Sequence, residues 1–269
     1  MVRRSALRRY GCVMAASTAE IIDYLDELLD ASAFSDYGPN GLQVPGKDRI
    51  EVVATGVSAH APLIEAAAAQ AADLLLVHHG LFWNRQPIEI TPVMHRRLKP
   101  LYASELALAA YHLPLDAHPA HGNNALLANA LRTVDPAPFG GHDGQHIGVA
   151  AQFGGDGVSV GELTERVAAA TGGRSPLVVA PDPGKRIRSI GIVSGGGTDY
   201  LTEAIEDGLD AFMTGEPSEK AFGLAHDADI VYIAAGHHAT ETMGVQRLGE
   251  LLAREFDVRH LHIDIDNPI

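Results

Sequence analysis

Apolar positions along the chain recur with two periods, and their alternation sets the predicted architecture. Residues 19–30, AEIIDYLDELLD, put Ile21, Ile22, Leu25, Leu28 and Leu29 on one face at helical spacing, with Thr18 placed to cap the helix. A turn-rich loop follows, SDYGPNGLQVPG. IEVVATGVSA then reads as a strand, PLIEAAAAQAA as a helix entered through Pro62, and DLLLVHH as a second strand. Strand, helix, strand at this length is a βαβ unit with parallel pairing and a right-handed crossover. TPVMHRRLKPLYASE predicts a helix broken at Pro100, LALAAYHLPLD a third strand running into a loop, and NNALLANALR a helix capped by Asn123.

The pattern then repeats. HIGVAAQF predicts a strand, SVGELTERVAAATG a helix capped by Ser159 and closed by Gly172, and PLVVAP a short strand. SIGIVSGGGTDYLTEAIEDGLDAFMTGE is again strand, tight turn, helix, strand. Laid on residues 54–79, with one residue slipped, it puts Ser194 on Ser58 and Asp210 on Asp73. DIVYIAAGHHATE falls on LALAAYHLPLD, so His237 meets His112 and Glu241 meets Asp116. The predicted fold class is α/β: two similar lobes with mostly parallel mixed sheets and a cleft between them. The expected division is a flexible extension over 1–14, a first lobe over 15–132, a Pro- and Gly-rich linker over 133–145, and a second lobe over 146–269.

Composition narrows the partners. The 269-residue chain carries a formal charge of −14, while residues 3, 4, 8 and 9 are all Arg. No basic stripe remains beyond that extension to neutralise phosphates, so nucleic acid is not an expected partner. The extension lacks the apolar stretch of a secretory signal, and Met14 is a natural alternative start. No apolar run approaches the ~18 residues of a membrane span. The single cysteine, Cys12, excludes a disulfide framework and fits a reducing compartment, the cytoplasm.

The 14 histidines carry the candidate chemistry. In parallel α/β sheets, ligands sit beyond the carboxyl ends of strands. Three predicted strands end in metal-ligating residues: His78 and His79; His112 and Asp116; His237, His238 and Glu241. Imidazoles and carboxylates suit Zn, Mn, Fe, Co or Ni. Gly80 permits a turn at the strand end, so His78 and His79 can serve two neighbouring ions. His237 and Glu241 lie one helical turn apart and can share an ion, which leaves His238 as an entrance or proton-moving residue. His112 is either a ligand or a proton shuttle. SGGGTD (194–199) reads as a tight turn before a phosphate cradle, Glu216 as a candidate for the cleft, and His142, His146, His260 and His262 as structural. Ser58 has no evident triad partners.

The motifs SDYGPNGLQV, LLLVHHGLFW, YHLPLDAH, SGGGTD, DAFMTGE and AAGHHATE occur in the order seen in the GTP cyclohydrolase 1 type 2 homologs, the NGG-interacting-factor-like proteins, and the chain resembles their short form over about residues 18–269. The resemblance implies two α/β lobes, a dinuclear metal site between them and a toroidal homohexamer. It implies metal ligation by His78, His79, Asp116, His237 and Glu241. One departure is His146, which stands where members commonly carry an Arg.

Two functions follow. The first is a metal-dependent hydrolase of a small, nucleotide-like substrate, with two divalent ions lowering the pKa of water and with His112 or His238 moving protons. In that case SGGGTD and the YGPNGLQV loop are candidate substrate contacts. The second is a non-catalytic metal-binding regulatory or scaffold ring. An open coordination position favours the first.

Overall fold

A computed structural model describes residues 16–269. The expected 1–14 extension lies outside the described residues. Two principal sheets organise the chain. The first runs in the order Arg259–His262, Val52–Ser58, Leu74–His79, Ala107–Ala110, Gly41–Val44. Its first four strands are parallel and Gly41–Val44 closes the edge antiparallel. Part of the predicted SDYGPNGLQVPG loop is therefore a strand. The second sheet runs Leu177–Val179, Val231–Ala234, Ala211–Thr214, Ser189–Ile192, Gln145–Gln152, Val134–His142. Only three of its strands are parallel, so the mostly parallel, mixed character expected of both lobes holds for four of the five strands of the first sheet and for three of the six in the second.

Period-2 burial explains why these segments are strands. Leu74 and Leu76 face one core with Val53 and Ala109, while Leu75 and Val77 face another with Ala54 and Leu108. The first core is closed by Ile21, Leu25 and Leu29 of the helix Thr18–Leu29 and by Val245, Leu248 and Leu252 of the helix Thr242–Phe256. The second is closed by Leu63, Ile64 and Ala67 of the helix Ala61–Ala69. Ile190, Ile192, Met213 and Ile233 do the same for the other sheet, packing with Leu127, Leu163 and Val167.

The duplication read from the sequence has a physical counterpart. Asp73 accepts the backbone N–H groups of Glu51 and Val52 at 2.9 and 3.0 Å, and Asp210 accepts those of Arg188 and Ser189 at 2.8 and 3.3 Å. In each lobe a carboxylate that opens one strand ties down the start of the neighbouring parallel strand. A lysine accompanies each, Lys47 at 2.6 Å and Lys185 at 3.9 Å.

Several expectations are corrected. Residues 133–145 are not a linker: Val134–His142 is the outer strand of a hairpin with Gln145–Gln152. Pro136 and Pro138 are tolerated because this strand lies at the sheet edge, where a missing N–H breaks no inner ladder. The lobes also exchange elements across the expected boundary. The strand Arg259–His262 pairs with Val52–Ser58 of the first sheet, and the helix Thr242–Phe256 packs into its core. Conversely, Leu127, Ala128 and Leu131 of the presumed first lobe join the second core. Pairing partners this distant leave no local trace. Pro100 does not break its helix at once: the helix runs Pro92–Ala103 and ends within one turn of it. Ser17, not Thr18, caps the first helix, in a reciprocal box with Glu20. Among the described residues no helix is long and apolar enough to cross a membrane.

Candidate metal centre

Each ligand-bearing segment leaves a sheet at the carboxyl end of a parallel strand. The strand Leu74–His79 delivers His78 and His79, then passes Gly80. A Cβ on Gly80 would lie 2.2 Å from the Gln43 amide nitrogen, so close approach rather than an unusual turn requires glycine here. Gln43 uses that proximity: its Oε1 accepts the Leu81 N–H at 2.7 Å and its Nε2 donates to the Pro39 carbonyl. Beyond Ala107–Ala110 the chain turns at His112 into the short helix Leu113–Ala117, which carries Asp116. Beyond Val231–Ala234, the helical turn His237–Thr240 carries His237, and Glu241 sits at the start of the helix Thr242–Phe256.

These segments converge. His78 Nε2 lies 3.5 Å from Asp116 Oδ2 and 3.5 Å from Glu241 Oε1. His79 Nε2 lies 3.3 Å from Glu241 Oε2, and His237 Nε2 lies 3.2 Å from Glu241 Oε1. The donor atoms form three overlapping groups: His78, Asp116 and Glu241; His79, His237 and Glu241; His78, His79 and His112. Glu241 belongs to the first two: its Oε1 lies near His78 and His237 and its Oε2 near His79.

The imidazoles and Asp116 are fixed from behind. His78 Nδ1 is 2.9 Å from the Tyr111 carbonyl, to which it donates, so Nε2 is the nitrogen turned toward Asp116 and Glu241 and is the one that would ligate. His79 Nδ1 meets Ser58 Oγ at 2.9 Å. His237 Nδ1 meets Glu216 Oε1 at 2.7 Å, and His112 Nδ1 meets Asp36 Oδ1 at 2.7 Å. Asp116 Oδ1 accepts from Asn123 Nδ2 and Ser194 Oγ, each at 2.9 Å, which leaves Oδ2 for the cluster. Outer hydrogen bonds of this kind orient metal ligands and set the imidazole tautomer.

The residues fit a metal on three grounds. The Nε2 of His78 and the Oε2 of Glu241 are buried and have no hydrogen-bond partner. An imidazole lone pair aimed at two buried carboxylates is costly unless a cation lies among them. The pKa shifts report the same field. Burial pulls His78 down, yet Asp116 and Glu241 drive it well above its ordinary value. Burial also opposes the charge on both carboxylates, but the imidazoles hold Asp116 below and Glu241 well below the usual range. His237, despite burial, is raised to about 9 by Glu241 and Glu216. His79 is lowered to about 3, first by burial and then by its imidazole neighbours, and so is neutral and ready to ligate. Third, Gly195 keeps the floor clear: at φ +60° it accepts no side chain easily, and a Cβ there would lie 2.2 Å from Glu241 Oε1 and 3.0 Å from His237 Nε2.

The sequence profile of Duf34/NIF3 (NGG1p interacting factor 3) matches residues 16–268. This chain belongs to the NIF3 family. It is 45% identical over 246 residues to the Vibrio cholerae protein named GTP cyclohydrolase 1 type 2 homolog, covering 91% of this chain and 96% of that one. A Pseudomonas aeruginosa protein of the same name is 40% identical over 255 residues, with 95% and 100% covered. Among solved structures, protein ybgI, described as of unknown function, superposes with a TM-score of 0.87 at 37% identity, covering 94% of this chain and all of that one. TTHA1606 from Thermus thermophilus superposes at 0.85 with 33% identity and the same coverage. The resemblance read from six motifs is thereby established as membership.

Within this NIF3 family member, the five residues singled out by motif come together and His112 stands beside them, its ring centroid 5.0 Å from that of His78. His238 does not join them. Its Nε2 bonds Asp264 at 2.8 Å, and it belongs to none of the donor groups, because the helical turn that aims His237 at the cluster rotates the next side chain away. The SGGGTD turn is not a phosphate cradle: the N–H groups of Ser194, Gly195 and Gly197 go to Asn124, Thr240 and Thr214. Glu216 does reach the centre, through His237. The sequence predicts Asn123 as a helix cap, but Gly122 occupies that position and Asn123 turns inward to Asp116. Asp36, in the turn-rich loop, escapes the sequence reading; an acid beside Asn40 in a Gly- and Pro-rich stretch is the available signal. His260 and His262 keep a structural role, flanking Thr55 Oγ1 at 2.8 and 3.0 Å.

Proposed function

We propose that this protein is a dinuclear metal-dependent hydrolase of a small substrate. Glu241 carries the proposal, since its carboxylate belongs to two donor groups, with Oε1 beside His78 and His237 and Oε2 beside His79. His78 and Asp116 would hold one divalent ion with Glu241, and His79 and His237 the other with the same carboxylate. Three protein donors for each ion would leave room for water or substrate, which favours catalysis over a purely structural or scaffold role. Such ions supply Lewis acidity and water that ionises near neutral pH.

The chain's own residues supply the rest. Asp36 fixes the His112 Nδ1 proton, which leaves Nε2 free to take or give a proton beside the cluster. Asp36 is itself locked by Asn40 Nδ2 at 2.9 Å and by the Leu113 N–H at 2.9 Å, so the imidazole is aimed and not merely present. The relatives' name includes GTP cyclohydrolase, and a nucleotide-like substrate agrees with it. The family resemblance adds a homohexameric ring in the cytoplasm to the same proposal.

The test is metal content together with turnover. Metal-loaded protein is screened against phosphoester, amide and heterocycle substrates with added Mn, Zn, Fe, Co or Ni. Glu241→Ala is expected to lose both ions and all turnover together. Retention of two ions by that variant would sink the ligand assignment, and a fully loaded wild type without hydrolytic activity would sink the enzyme.

A further inference from the structure

We propose that the cleft beside the metal centre binds a small planar aromatic anion, with the ring held by Tyr37 and Trp83 and the negative group held by Arg85. The proposal rests on the metal-centre reading above and names the ligand class that the site takes.

The cleft is lined by Tyr37, Trp83, Arg85, His142 and Asp143 among others, and its volume is about 440 Å³, in the range of small-ligand sites. Its aromatic walls stand beside the candidate donors. The Trp83 ring centroid lies 5.8 Å from that of His79 and 5.2 Å from that of His112, and Tyr37 lies 6.0 Å from His112. A ligand in the cleft therefore packs against rings that flank the centre. The rings are available to it. Each of these pairs, and Tyr37 with His142 at 5.4 Å, is tilted or edge-on, with interplanar angles from 53° to 87°. None is stacked face to face on another, so aromatic faces remain for a planar guest.

Tyr37 is 54% exposed, yet its backbone is held on both sides. Its N–H donates to Asp36 Oδ1, its carbonyl accepts the Asn84 N–H at 2.8 Å, and Asn84 Nδ2 donates to the Asp36 carbonyl at 3.0 Å. The same Asp36 positions His112. An exposed aromatic ring on a backbone pinned to the site is a preorganised stacking platform rather than a loose surface residue.

Charge orients the guest. Among the described residues Arg85 makes no ion pair or hydrogen bond, although the chain carries a net charge of −14. Asp143 stands on another part of the rim, in the turn of the 134–152 hairpin, and repels an anion placed there. Asp36, the other carboxylate of the lining, is engaged with His112, so Arg85 is the cationic group that an anion meets in the cleft. A ring without charge wastes Arg85, and an aliphatic anion wastes the rings.

Trp83 is the only tryptophan of the chain, so selectively excited tryptophan fluorescence reports on this cleft. Metal-loaded full-length protein is titrated with benzoate, with adenosine 5′-monophosphate, and with cyclohexanecarboxylate, which matches benzoate in charge and approximate size but is not planar. Saturable quenching by benzoate or by the nucleotide is expected, with cyclohexanecarboxylate at least about tenfold weaker, the loss that one missing stacking contact produces. Binding by the nucleotide alone identifies a base with a phosphate; binding by benzoate alone identifies an aromatic carboxylate. Arg85→Gln and Tyr37→Ala are each expected to weaken binding by about tenfold while two ions per chain remain bound. Quenching by neither aromatic probe, or equal affinity for cyclohexanecarboxylate, overturns the proposal. Metal stoichiometry separates the two failures: loss of the aromatic preference with both ions retained refutes this inference alone, whereas wild-type protein that takes up no metal refutes the reading on which it rests.

Discussion

Asn123 Nδ2 lies 2.9 Å from Asp116 Oδ1, while the Oδ1 of the same asparagine accepts the Gly244 N–H at 2.8 Å. One fully buried side chain thus ties a carboxylate of the metal centre to the helix that Glu241 opens. Asn124 completes the link by donating to the Ile147 carbonyl and accepting the Ser194 N–H. Asn123→Leu leaves Asp116 Oδ1 short of a donor and the Gly244 N–H unpaired. Metal affinity is expected to fall by about 10- to 100-fold, as for other lost outer partners of ligands, and stability by about 1–3 kcal/mol for the unsatisfied buried groups. Calorimetric metal titration and denaturant unfolding measure the two effects; unchanged affinity would show that Asp116 needs no such support.

Ser58 and Ser194 are equivalent in the duplication, and each holds a ligand of a different proposed ion, His79 and Asp116. Ser58→Ala is expected to weaken the ion held by His79, and Ser194→Ala the ion held by Asp116. Stepwise metal titration should show one altered step in each variant. If both serines affect the same step, the division into two groups fails.

Gly195→Ala forces a Cβ against Glu241 Oε1 and His237 at a residue with φ +60°. The strained backbone alone costs about 1–3 kcal/mol. Displacement of Glu241 is expected to reduce binding of both ions, because that carboxylate serves both. Metal analysis after gel filtration reads the outcome, and a folded variant with two ions would contradict the bridging role.

Protonation gives a prediction whose sign depends on loading. In metal-free protein the folded-state pKa of His237 is raised to about 9. Its contribution to stability is therefore complete below about 6.5, the unfolded value, and is lost as pH rises through about 9. His79, lowered to about 3, acts oppositely: below about 6.5 the unfolded chain takes up the proton first, so acidification costs stability. On these two groups, metal-free protein is most stable near pH 6.5 and its melting temperature drops on either side. Metal binding must displace the protons on His237 and His78, so affinity is expected to rise with pH up to about 9, with proton release seen as a buffer-dependent calorimetric heat. Metal affinity independent of pH between 6 and 9 would mean that neither imidazole is a ligand.

Much of this protein was decided locally and can be read from residue order. Buried runs such as LLLV, the cap at Ser159, and the repeated strand-ending candidate ligands follow from side-chain periodicity and nearest-neighbour chemistry. The six motifs carried the family, and the five candidate ligand positions lie at or just beyond the carboxyl ends of parallel strands, two of them in the first sheet and one in the second. Tertiary structure decided the rest. Periodicity says which face of Arg259–His262 is apolar, but not that the strand returns to Val52–Ser58 after the second sheet is complete. Likewise, Asn123 has the local chemistry of a cap and becomes a brace for Asp116, and His238 shares a dipeptide with His237 yet points to Asp264. Each of these outcomes depends on partners far away in sequence, so the free energy that selects them arises from packing between lobes and leaves no signature in the neighbouring residues.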